Sequence, residues 1–289
     1  MLVAIWVITF CLIIGIGVYA GSSIKAASQW SGGDRTLGAW SLGCVFAAWQ
    51  IGGMAIVGAA QNGYNLGISG AWYSIAGSFY FIFLAFFAKM IRENLPSESV
   101  PEYLQLKFGQ KTARLYSYAW IIYGFLYIPI QLKTVSSIVQ IVLPGLSISW
   151  AMLIGVTIAV VYTSFSGMRG ASAVGRVVCI GTYILLMAFV FTTLPKFGNY
   201  SGLLAKLPTQ YASWHNMPTH RIIAWIVGGC ISTAVMQSVL QPLLSAKSPE
   251  AARTGSILGY VIAAPICILT ALCGMFSKAS GADPVSYTH

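Results

Sequence analysis

The chain has 289 residues, 57% of them hydrophobic and 8% charged, with a mean hydropathy of +0.77. Soluble domains carry roughly 25% charged residues, so this composition excludes a water-soluble globule and predicts an integral membrane protein. The net charge of +10 does not indicate a nucleic-acid partner, because the positive residues lie between apolar runs and not along one face.

Eight runs are long enough to cross a bilayer as helices: 2–20, 39–60, 69–91, 115–142, 148–166, 176–194, 221–243 and 255–276. They are continuous and not the alternating strands of a barrel, so an all-α membrane domain over residues 1–289 is predicted. The first run lacks a positive leader and is long for a signal peptide, so it reads as a retained helix.

The second run contains AAWQIGGMAIVG, residues 47–58. Glycine costs about 1 kcal/mol in a helix interior relative to alanine, so Gly52 and Gly53 make unwinding easy at mid-depth. Carbonyls freed there need protein or a polar cavity to satisfy them, as at the broken helices of secondary transporters. Close helix packing through small residues is the competing reading.

The fourth run carries Lys133 beside Gln131, Thr134, Ser136 and Ser137. A charge at that depth costs at least about 2.5 kcal/mol and marks a candidate site; snorkelling to the interface is the alternative. No Asp or Glu lies within any run, which leaves an anionic solute, a backbone carbonyl or no partner at all, the last making Lys133 a proton carrier. Pro129, four residues earlier, is a candidate kink that opens room there.

Between the runs, residues 92–114 read as an extended start and a short amphipathic helix. His215 and His220 lie in the proline-containing 195–220 connection and read as surface residues, not metal ligands. The six cysteines read as small buried hydrophobes, without metal or disulfide. Lys25, Arg35, Lys89, Arg92, Lys107, Lys111, Arg114, Arg169, Arg176, Lys247 and Arg253 follow odd-numbered runs; Lys196, Lys206, Arg221 and Lys278 follow even-numbered ones. The positive-inside rule then places the N-terminus outside and the odd-numbered loops in the cytoplasm of a plasma (inner) membrane. There is no HExxH, no GxSxG and no intramembrane Asp, Glu or His, which argues against an enzyme.

Four stretches together resemble the sodium:solute symporter family: SGGDRTLGAWSLG (31–43), VPEYLQLKFGQKTAR (100–114), YTSFSGMRGASAV (162–174) and QSVLQPLLSAKSPEAAR (237–253). The resemblance implies a leucine-transporter-type inverted-repeat bundle with one extra N-terminal helix, truncated here within the second repeat. It implies cation-coupled symport of a small organic solute, with Na+ or H+ as coupling ion and no other cofactor. Ala48-Trp49-Gln50-Ile51 resembles the family's Ala-x-x-Ile/Met motif, which implies cation-binding carbonyls at Ala48 and Ile51. Gln50, Gly52, Gly53, Lys133, Ser232, Thr233 and Gln237 are the candidate solute contacts. Val174-Gly175, followed by Arg176, stand in place of the Thr-Asp pair, and the aromatic platform of sugar carriers is missing before Met236-Gln237. The first departure bears on Na+ coupling, the second ranks sugars low, and Lys133 points to a carboxylate or amino acid. The competing readings are a membrane sensor or regulatory module, and a non-transporting truncated product.

Overall fold

The computed structural model describes residues 2–22, 35–95, 99–233 and 235–281, and every described element is helical. Helix α1 spans Leu2–Gly21. The second run is two helices, α2 (Ala39–Gln50) and α3 (Gly53–Leu66), with a break between them. A 3-10 turn at Gly67–Ala71 follows, where Gly67 has φ +72. It leads back through α4 (Trp72–Ser78) and α5 (Tyr80–Asn94). The interfacial helix α6 (Val100–Phe108) is capped by Ser99, whose hydroxyl accepts from Glu102 N–H.

Helix α7 spans Gln110–Val142 and includes Pro129. Helix α8 covers Ile148–Thr193. As a straight rod it would reach about 70 Å at 1.5 Å per residue, more than twice the hydrocarbon core of about 30 Å. Gly167, at φ 52 and ψ −165, divides it into two limbs. The predicted turn over 162–174 is therefore one non-helical residue.

The 195–218 connection is not an open loop. It folds as two 3-10 turns flanking α9 (Asn199–Ala205). It caps one end of the bundle through Tyr211, whose hydroxyl donates to the carbonyls of Tyr64 and Asn65. His215 and His220 are exposed. The seventh run, predicted as one span, is α10 (Thr219–Thr233) and α11 (Gln237–Leu244), bent by 57°. Helix α12 spans Pro249–Ala279.

Helix α12 holds both halves of the broken helix through a seam of small residues. A Cβ on Gly255 would meet the Leu42 side chain, one on Gly259 the Phe46 side chain, and one on Gly274 the Ala60 carbonyl. Without a hydrophobic driving force between helices in lipid, such close backbone approach is what packs them. Three of the six cysteines, Cys44, Cys179 and Cys267, are buried in these contacts, whereas Cys11 is exposed on α1.

At the end bearing most of the basic residues, Leu37 N–H donates to Ser245 O and Lys247 N–H to Leu37 O. Arg92 Nε donates to Ala246 O at 2.9 Å. These bonds tie the entry to α2, the end of α5 and the α11–α12 link together.

Candidate functional site

The α2 ladder ends with Ile51 N–H donating to Ala47 O at 2.8 Å. Ile51 (φ −77, ψ 29) and Gly52 (φ −69, ψ 162) leave the helical region. The ladder restarts when Ala55 and Ile56 donate to Gly52 O. Gly52 N–H does not close on Ala48 O, and Ala55 N–H, the i+4 donor for Ile51 O, goes to Gly52 O instead. Such carbonyls are suited to a cation or a water. Gly53, the second glycine of the pair, opens α3.

On one side of the break lies a cavity of about 280 Å³ lined by Trp49, Gln50, Gly52, Ala55, Tyr73, Gly77, Tyr127, Gln131 and Trp225. Four aromatic rings and two amides dominate this lining, and none of its residues is charged. Tyr73 and Trp225 meet edge to face at 5.3 Å between centroids. Gln131 Nε2 donates to the Tyr127 hydroxyl at 2.9 Å, two residues to either side of Pro129. Tyr80 donates to Gln50 Oε1 at 3.3 Å from behind. On the other side of the break a small void of about 10 Å³ is lined by Ile51, Ser74, Thr270 and their neighbours, with Gln50 shared between the two spaces.

Of the residues singled out from the sequence, Gln50 and Gly52 line the cavity, and Ala48 and Ile51 flank it at the break. Lys133 does not line it; the side chain is half-buried on α7, and its own carbonyl accepts from Ser136 and Ser137. Ser232, Thr233 and Gln237 sit together at the α10–α11 bend and do not line this cavity. Gln237 Oε1 accepts from Val100 N–H at the start of α6, and Thr233 lines a separate apolar cavity there. Ser232 donates to Gly229 O.

Sequence reasoning passed over Trp49, Tyr73, Tyr127 and Trp225. Aromatic residues are common throughout these runs, so nothing in their own pattern marks them. The usable signal was Tyr127 and Gln131, a polar pair one helical turn apart around a proline.

The sodium:solute symporter family model matches residues 31–287. The chain is 25% identical over 326 aligned residues to sodium/glucose cotransporter 4 of Danio rerio, covering 98% of this chain and 47% of that protein. It is 22% identical over 313 to the sodium/glucose cotransporter of Vibrio parahaemolyticus, covering 98% and 56%. The chain thus spans about half the length of the curated relatives it matches. A solved structure of a Na+-coupled sialic acid symporter, in a substrate-bound outward-open state, superposes with a TM-score of 0.78 at 16% identity, over 96% of this chain and 61% of that one. That likeness shows the fold, the leucine-transporter-type bundle expected from the sequence. This is an integral, multi-pass membrane protein, and it belongs to the sodium:solute symporter family.

Proposed function

We propose that the chain carries the cation and solute contacts of a Na+-coupled symporter of small organic solutes. The observation behind this is the break at Gln50–Gly52. It frees the carbonyls of Ala48 and Ile51 for a cation and, at the same depth, presents Gln50 and Gly52 to a part-open cavity. A cation bound there and a solute bound beside it share one flexible segment, which is the physical requirement for coupling: each ligand stabilises the arrangement the other needs. Arg35, Arg92, Arg176 and Lys247 would face the cytoplasm, with the N-terminus outside a plasma (inner) membrane.

The lining favours a neutral polar solute with a ring face. Aromatic faces cover apolar ring surface, and the two amides supply donors and acceptors without a charge. The sugar cotransporters among the relatives agree with this direction. A carboxylate or amino acid is the second reading. It rests on Lys133, half-buried two residues from the cavity-lining Gln131 and without a carboxylate in ion-pair range among the described residues.

The test is binding of labelled glucose, galactose, proline and pyruvate to the chain in proteoliposomes, with Na+ or with choline outside. Binding of one solute that rises with Na+ supports the proposal. Binding equal in Na+ and choline, for every solute, sinks it. Binding that responds to pH and not to Na+ assigns the coupling to H+.

A further inference from the structure

A groove of about 800 Å³ runs along α1 where it meets the second limb of α8, between Val7 and Ala20. Ile8, Leu12 and Tyr19 on its wall are 60%, 58% and 84% exposed. Among the described lining residues Arg176 is the charged one. Its Nη1 donates to Ser41 Oγ at 3.2 Å, one of the five donors a guanidinium carries. Among the described residues no carboxylate lies within ion-pair distance of it.

The dimensions identify an occupant. The 13 steps from Val7 to Ala20 cover about 20 Å of helix, against about 15 Å for half of the hydrocarbon core. The groove is therefore somewhat longer than one leaflet's half of the hydrocarbon core, apolar along its length, and carries one cation, Arg176, on its α8 wall. Gly15 leaves space: a Cβ there would meet nothing within 4 Å.

We propose that this groove holds an acyl chain of an anionic phospholipid whose phosphate sits on Arg176. Arginine matches phosphate with two parallel charge-assisted hydrogen bonds. The leaflet assignment rests on the orientation proposed above, which puts Arg176 against the anionic cytoplasmic leaflet. The same guanidinium holds Ser41 near the start of α2, so the bound phosphate braces the half-helix that leads to Ala48 and Ile51.

The test uses the chain in nanodiscs of equal phosphatidylglycerol and phosphatidylcholine, extracted into detergent and weighed by native mass spectrometry. About one phosphatidylglycerol per chain is expected to remain. R176Q should lower its retention about tenfold, the worth of one charge-assisted pair near 1.4 kcal/mol. G15F, which fills the groove and leaves Arg176 in place, should lower it comparably. S41A, which removes the internal hydrogen bond and keeps the charge, should retain the lipid. Retention unchanged in both R176Q and G15F overturns the proposal, as does equal retention of phosphatidylcholine. A photoreactive residue at Leu12 should cross-link to lipid; cross-links to a second copy of the chain would assign the face to an oligomer and overturn it. Na+-dependent solute binding is measured separately, so failure of the lipid site leaves that reading standing and the converse also holds.

Discussion

The Tyr80 hydroxyl donates to the side-chain carbonyl of Gln50 across 3.3 Å, and this bond joins α5 to the broken helix at the depth where its ladder stops. Tyr80 is 4% exposed, so it orients the Gln50 amide without lining the cavity itself. Gln50→Ala removes the amide from the cavity and leaves a buried phenol without this acceptor. A buried hydrogen bond contributes about 0.5–1.5 kcal/mol, so solute affinity should fall roughly threefold to tenfold. Tyr80→Phe should give the smaller part of that loss. Equal affinity for wild type and Gln50→Ala, in a binding titration, would remove Gln50 from the site.

Gly52 is extended, and a Cβ there would lie 3.7 Å from Trp49 O, in ordinary contact. Gly52→Ala therefore fits. It also favours helix over the open break by about 1 kcal/mol, which draws the Ala48 and Ile51 carbonyls back toward the ladder. The Na+ concentration giving half-maximal binding should rise about fivefold. A Na+ titration that does not move would count against those carbonyls as ligands.

Lys133→Gln separates the two solute readings. With a neutral solute, affinity should stay within about twofold, because Lys133 does not line the cavity. If carboxylate binding is instead lost by more than about tenfold, the charge acts on the solute. Parallel titrations with glucose and pyruvate read this directly.

The glycine seam predicts a contrast in stability. Gly274→Ala drives a methyl into the Ala60 carbonyl, and overpacking of this kind costs about 1–3 kcal/mol. Gly15→Ala meets open space inside α1 and should be neutral to stabilising, by up to about 1 kcal/mol. Unfolding in mixed micelles titrated with dodecyl sulfate compares the two.

Orientation is open to direct labelling. Ser213→Cys, in the cap over Tyr64, should react with a membrane-impermeant maleimide on intact cells. Thr112→Cys, near the start of α7, should react only after permeabilisation. The reverse pattern would invert the assignment made from the basic residues.

The sequence by itself determined that this chain lives in a membrane and marked Gly52 and Gly53 as a weak point of its second run, with close packing as the competing reading; it did not show that the seventh run is two helices. These are local properties: apolar length decides spanning, and paired glycines decide where a ladder is weakest. The four family-like stretches carried the bundle type for the same reason, being short motifs at turns and helix ends. The tertiary structure alone decided which side chains meet. Trp49, Tyr73, Tyr127 and Trp225 come from four helices and converge on Gln50 only because α3 folds back at Gly67 and α7 passes beside the break. Lys133, the most conspicuous residue in the sequence, does not line this cavity, and Ser232, Thr233 and Gln237 sit at a second bend. A helix turns its residues by 100° each, so a span's position in the chain fixes depth, while the direction a side chain faces is fixed by the neighbour it packs against.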